Sequence, residues 1–186
     1  RVGERGRPPH AFFAPSRRRP APQPQPRSPS PTTPQVAALI LSPTRELAAQ
    51  IHRVLVPYLA AATPWAGATL LVGGSDPAAD AERVVSGRSG GDGGGDRGEG
   101  AHVLVGTPGR VADTLSRLDG SGSAPAAPTS RRLTWRAFDL LVLDEADRLL
   151  DAGFAAHVGA ILARLPKQRR TGLFSATQTD AVAALA

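Results

Sequence analysis

Leu140-Leu141-Val142-Leu143-Asp144-Glu145-Ala146-Asp147 is the stretch that decides the fold, with four apolar residues running into three carboxylates. A continuous apolar run of this length is the pattern of a strand buried on both faces of a parallel sheet. Open α/β sheets bind their ligands beyond the carboxyl ends of the strands, which is where Asp144, Glu145 and Asp147 fall. Clustered carboxylates repel one another, so they suit a cation. A hard Mg²⁺, held by one or two carboxylates, water and substrate phosphates, matches that chemistry. An acidic helix start favoured by the helix dipole reads the same residues equally well, and this stretch alone does not separate the two.

Outward from this run, the same grammar repeats. Val36 to Leu41, Thr69 to Val72, His102 to Val105, Phe138 to Leu143 and Thr171 to Phe174 are short apolar runs. Between them, apolar residues recur at helical spacing: Leu47, Ile51, Val54, Leu55 and Leu59, then Val111, Leu115 and Leu118, then Phe154, Val158, Ile161, Leu162 and Leu165. Asp76-Pro77 and Thr107-Pro108 each place a capping residue before a proline at the first helical position. A last helix follows Ser175-Ala176-Thr177. Strands alternating with helices predict an α/β fold with a parallel sheet flanked by helices.

Composition bounds the rest. The 186 residues suggest one domain, without cysteine and therefore without disulfides or thiolate metal sites. No apolar run approaches the roughly 18–20 residues that cross a bilayer, and the start lacks the basic-then-apolar pattern of a signal peptide. The formal charge of +6 is carried by residues 1–35, with seven arginines against one glutamate; residues 36–186 hold 15 basic and 15 acidic side chains. An argument for nucleic acid must therefore come from particular residues of the folded part. Residues 1–34 hold ten of the 18 prolines and are expected to be a disordered Pro/Arg-rich tail, with a domain over 35–186. Residues 86–100 and 119–130, rich in Gly, Ser, Asp, Ala and Pro, are expected to be flexible loops.

Two nucleotide-binding motifs are missing. Gly93-Gly94-Gly95-Asp96-Arg97-Gly98 satisfies the dinucleotide pattern by letter only, since no strand precedes it and no helix follows. The sole lysine, Lys167, follows Leu165-Pro166 and no Gly-rich loop, so the phosphate-binding P-loop is absent from the chain. His10, His52, His102 and His157 lack metal-ligand spacing. Trp65 and Trp135 read as packing residues, because neither interleaves with a basic patch.

Three strand ends carry phosphate-friendly chemistry. Pro43-Thr44-Arg45 opens a helix, where free backbone N–H groups hold anions and an arginine adds a charge-assisted contact; plain helix capping by Thr44 explains it as well. Thr107-Pro108-Gly109-Arg110 repeats the device, and Gly73-Gly74 offers bare backbone. Together they suggest a track for a phosphate backbone. The hydroxyls of Ser175 and Thr177 can bond Asp147 or cap the last helix.

The order of these stretches resembles the first RecA-like domain of DEAD-box RNA helicases. The residues that carry the resemblance are Pro43-Thr44-Arg45-Glu46-Leu47-Ala48, Gly73-Gly74, Thr107-Pro108-Gly109-Arg110, Asp144-Glu145-Ala146-Asp147 and Ser175-Ala176-Thr177. The resemblance implies a partial RecA-like P-loop NTPase domain from a parent that couples ATP hydrolysis to RNA unwinding or remodelling. By it, Asp144 positions Mg²⁺ on the phosphates of ATP through water, and Glu145 orients or deprotonates the attacking water. Asp147, Ser175 and Thr177 couple the nucleotide site to domain closure. Pro43, Thr44, Arg45, Gly73, Gly74, Thr107, Pro108, Gly109 and Arg110 bind RNA along its sugar–phosphate backbone.

Residues 142–154 and 165–178 are most similar to the subgroup that acts in large-ribosomal-subunit assembly. That implies pre-ribosomal particles as partners, a nuclear or nucleolar setting, no membrane and action as a monomer. The family's adenine-reading and P-loop motifs are expected ahead of Val36, where the Pro/Arg tail stands, and its second RecA-like domain is not represented. The chain is thus expected to be a fragment without activity of its own. A non-catalytic RNA-binding module derived from a helicase domain is the alternative.

Overall fold

The five apolar runs form five strands of one parallel sheet: β1 (Gln35–Leu41), β2 (Gly67–Leu71), β3 (Ala101–Gly106), β4 (Leu140–Asp144) and β5 (Arg170–Phe174). The computed structural model describes residues 35–63, 66–86, 101–120, 133–151 and 153–185. Helices α1 (Arg45–Ala62), α2 (Pro77–Ser86), α3 (Pro108–Asp119), α4 (Ala146–Leu149), α5 (Ala155–Leu162) and α6 (Asp180–Leu185) connect and flank the strands. The expected tail over 1–34 lies outside the described residues. So do most of the two expected loops; their first residues are helical, Ser86 closing α2 and Asp119 closing α3.

The strand order is β2-β3-β1-β4-β5, with every neighbouring pair parallel. After β1 the chain builds two strands on one side of it and then crosses to build β4 and β5 on the other. Connections therefore leave the carboxyl ends of β1 and β4 in opposite directions, which opens a crevice between them. Ser42 follows β1 and Glu145 follows β4, so the two principal motifs flank this switch point.

The apolar runs are where the core sits. Leu39, Leu41, Leu71, Leu104, Leu141 and Leu143 are fully buried, and Val111, Leu115, Leu149, Val158 and Ile161 close over them from the helices. Each such leucine contributes roughly 1.5–3 kcal/mol through burial. Trp135 packs edge-on to Phe138, ring centres 5.4 Å apart, and acts as the packing residue its surroundings suggested; Trp65 lies outside the described residues.

Candidate nucleic-acid and nucleotide site

Backbone hydrogen bonds bring the ends of β1, β3 and β2 to one level. The Ser42 N–H donates to Gly106 O at 3.1 Å, and the Thr107 N–H to Leu71 O at 3.0 Å. Gly106 makes this approach possible: a Cβ there would lie 2.3 Å from Leu71 O. The three turns that follow, after Ser42, Val72 and Gly106, are therefore neighbours in space although far apart in the chain.

Together they wall an open concavity of about 720 Å³. Pro43, Thr44, Arg45, Gly73, Thr107, Gly109 and Arg110 line it, together with Glu46, Pro77, Asp113 and Phe154. Of the expected track residues only Gly74 and Pro108 stand outside this lining. Gly74 is exposed in the turn with φ +104°, a conformation that suits glycine, and Pro108 is buried in the first turn of α3.

The two threonines differ. Thr44 accepts the Leu47 N–H at 3.3 Å, so its hydroxyl does cap α1. The preceding first-turn N–H groups of a helix have no internal acceptor and face outward. Thr107 starts α3 with its carbonyl, 3.0 Å from the Val111 N–H, and makes no side-chain cap bond. The Arg45 guanidinium lies against the Gly73-Gly74 turn: a Cβ on Gly73 would stand 2.9 Å from its Nη2.

Arg110 is braced from below by a residue that sequence reasoning missed. Asp80 of α2 is fully buried. It accepts the Ser75 hydroxyl at 2.8 Å, pairs with Arg83, and lies 3.4 Å from Arg110 Nη1. Arg110 Nη2 donates to Ser75 O at 2.9 Å. The one available signal is spacing: Asp80 stands four residues before Val84, on the face of α2 that Ala81, Val84 and Val85 bury.

On the other side of β1, Asp144 ends β4 in register with Phe174 of β5. Glu145 follows in the left-handed region, φ 51° and ψ 53°, the one non-glycine with positive φ among the described residues. Such a conformation costs on the order of 1–3 kcal/mol and persists where surrounding structure imposes it. Here the Glu145 carbonyl accepts the N–H groups of Arg148 and Leu149 at 3.0 and 3.1 Å, which starts α4. Its Oε2 lies 3.1 Å from Arg148 Nη1 without hydrogen-bond geometry, so a buried carboxylate oxygen keeps acceptor capacity.

Asp147 is tied to the strand beyond. The Thr177 hydroxyl donates to its Oδ2 at 2.5 Å, and its own N–H donates to Ser175 Oγ at 3.2 Å. The Ser175 hydroxyl in turn donates to Thr177 O at 2.7 Å. The Thr177 hydrogen bond holds the Asp147 carboxyl below its ordinary pKa of 3.8, against a smaller opposing effect of desolvation. Of the two readings of Ser175 and Thr177, bonding to Asp147 is the one realised. Thr179 caps α6 instead, accepting the Val182 N–H at 3.3 Å.

Asp144 and Glu145 offer hard oxygen donors at the switch point. No group of three or more His, Cys, Asp or Glu capable of holding a metal occurs among the described residues. This donor set suits a cation that keeps most of its water, as Mg²⁺ does, rather than one caged by protein. His52 is engaged with Ala68 O at 3.2 Å.

The sequence matches the DEAD/DEAH box helicase family over residues 24–185. It is 47% identical over 152 residues to DEAD-box ATP-dependent RNA helicase 49 of Arabidopsis thaliana, covering 82% of this chain and 23% of that protein. To the ATP-dependent RNA helicase DDX55 of Danio rerio it is 46% identical over 147 residues, covering 78% of this chain and 21% of that protein. The chain thus spans about a fifth to a quarter of such relatives. Among solved structures, a DEAD box protein from the hyperthermophile Methanococcus jannaschii superposes with a TM-score of 0.58 at 28% identity, over 81% of this chain and 34% of that one.

Proposed function

The chain belongs to the DEAD/DEAH box helicase family, and from that premise we propose that it supplies the RNA track and the hydrolytic acids of an ATP-dependent RNA helicase. One observation carries the reading: the turns after β1, β2 and β3 line a single concavity, and Asp144 and Glu145 leave the sheet on the other side of β1.

In this reading the track is Pro43, Thr44, Arg45, Gly73, Gly74, Thr107, Pro108, Gly109 and Arg110. First-turn N–H groups of α1 and α3, the Thr107 hydroxyl and the Arg45 guanidinium meet the RNA backbone. Such contacts fix position but carry little base information, which suits an enzyme that remodels many duplexes. Asp144 would hold Mg²⁺ through water at the phosphates of ATP, where the cation would neutralise charge. Glu145 would orient the attacking water or accept its proton. Asp147, bonded to Ser175 and Thr177, links the acids to the end of β5 and so to the surface that a second domain would close against.

The sequence holds no P-loop, the element that cradles the phosphates in P-loop NTPases. Residues 1–186 on their own are therefore proposed not to turn over ATP. The resemblance of residues 142–154 and 165–178 supports placing the parent protein in large-ribosomal-subunit assembly in the nucleolus, as a monomer working on pre-ribosomal RNA.

The test is RNA affinity and ATP turnover of residues 1–186 with and without Arg45→Ala. A lost charge-assisted hydrogen bond predicts about a tenfold or greater weakening of single-stranded RNA binding. Unchanged affinity would overturn the track, and robust RNA-stimulated ATP turnover would overturn the proposed inactivity.

A further inference from the structure

Arg110 lines the concavity, yet its guanidinium is turned toward α2, where Nη2 is hydrogen-bonded and Nη1 is held in an ion pair without a hydrogen bond. One terminal nitrogen donates to Ser75 O at 2.9 Å and the other lies 3.4 Å from Asp80 Oδ2. Its side chain is 11% exposed, and that of Asp80 is fully buried. Ser75 follows directly on Gly73-Gly74, and its hydroxyl closes the ring by donating to Asp80 at 2.8 Å. Arg83, one turn further along α2, supplies a second positive charge to the same carboxylate. A buried carboxylate facing two guanidiniums and a hydroxyl is fully compensated.

We infer that Asp80 is a positioning residue for RNA binding, and that Arg110 serves the track as a strut rather than as a phosphate ligand. Arg110 reaches from the start of α3 to the turn after β2, and Asp80 holds it there. The link fixes the Gly73-Gly74 backbone relative to Thr107 and Gly109, so that two of the three turns present their groups at a constant spacing. RNA backbone contacts depend on such spacing because phosphates recur at fixed intervals. The inference rests on the proposed track and assigns a division of labour within it: Arg45 carries charge to the ligand, and Arg110 carries geometry.

A phosphate contact and a strut differ in salt dependence. Each phosphate neutralised on a single strand contributes about 0.7 to the slope of log affinity against log salt concentration. We would measure binding of a short fluorescent single-stranded RNA to residues 1–186 across salt for Arg45→Ala, Arg110→Ala, Arg110→Lys, Asp80→Asn and the double variant Asp80→Asn/Arg110→Ala, with thermal melts to verify folding. Arg45→Ala is expected to flatten the slope by about 0.7. Arg110→Ala is expected to weaken binding about tenfold with the slope unchanged. Arg110→Lys is expected to lose as much as Arg110→Ala, because an ammonium cannot span Ser75 O and Asp80 together. Asp80→Asn should weaken binding likewise, and the double variant no further, since the two act as one unit.

A flattened slope in Arg110→Ala, or retained affinity in Arg110→Lys, would overturn the strut while leaving the track standing. Additive losses in the double variant would overturn Asp80 as a residue acting through Arg110. No effect of Arg45→Ala would overturn the track itself, and this inference with it. Should Asp80→Asn fail to fold, Asp80→Glu takes its place: the longer carboxylate should weaken binding with the slope unchanged, and full affinity would overturn Asp80 as the positioning residue.

Discussion

Thr177 and Asp147, 30 residues apart, are joined by a hydrogen bond in which the threonine hydroxyl donates to the carboxylate at 2.5 Å. Asp147 lies in the short helix after β4 and Thr177 in the turn after β5, so this one contact spans the ends of two adjacent strands. Ser175 reinforces it by accepting the Asp147 N–H.

Removing the donor should show in the titration of Asp147. Its pKa in the folded chain lies below the ordinary 3.8, chiefly through Thr177. A lowered folded pKa means that the contribution to stability is complete above the unfolded value and lost as pH falls through the folded one. The contact is therefore fully present at neutral pH and insensitive to pH there. Thr177→Val should move the Asp147 carboxyl pKa upward toward 3.8, read by carbon-detected NMR titration. An unchanged pKa would mean that the hydroxyl does not bond the carboxylate in solution.

Glu145 should be held at the expense of stability. Its left-handed backbone suits glycine, and its pairing with the largely exposed Arg148 lacks hydrogen-bond geometry and contributes little. Glu145→Gly is expected to raise the unfolding free energy by about 1 kcal/mol in urea titrations. Destabilisation of similar size would show that the side chain supports the fold rather than a function.

Two glycines should respond differently to alanine. At Gly106 the new Cβ would meet Leu71 O at 2.3 Å and Val111 Cγ2 at 2.9 Å, atoms that belong to the sheet and the core. Gly106→Ala should cost about 1–3 kcal/mol. At Gly73 the obstacle is the mobile end of Arg45, 2.9 Å away, so Gly73→Ala should leave stability within about 0.5 kcal/mol. The displaced guanidinium should nevertheless weaken RNA binding several-fold. Urea melts and RNA titrations on the same two samples check both halves.

Much of this was legible in the sequence because its signals are local. The run Leu140 to Leu143 announces a buried strand, and Asp76-Pro77 and Thr107-Pro108 announce helix starts that the structure places at Pro77 and Pro108. The motifs also announced their neighbours, since each followed a strand and parallel strands end on one edge. Other features depend on distant partners. Asp80 reads as one more acid on a surface helix until the fold brings Arg110 and Ser75 to it. The conformation of Glu145 is imposed by the turn from β4 into α4, and no propensity of glutamate predicts it. That Thr44 spends its hydroxyl on Leu47 while Thr107 keeps its own free of capping depends on backbone angles that the shared Thr-Pro and Pro-Thr chemistry does not specify.

The most direct measurement is an amide-resolved NMR titration of residues 1–186 with single-stranded RNA. Saturable shifts are predicted at Thr44 to Leu47, at Gly73 and Gly74, and at Thr107, Gly109 and Arg110, in the three turns that share one concavity. Shifts confined to the arginine-rich residues 1–34, with those three turns unmoved, would contradict the assignment of the strand ends as the RNA track.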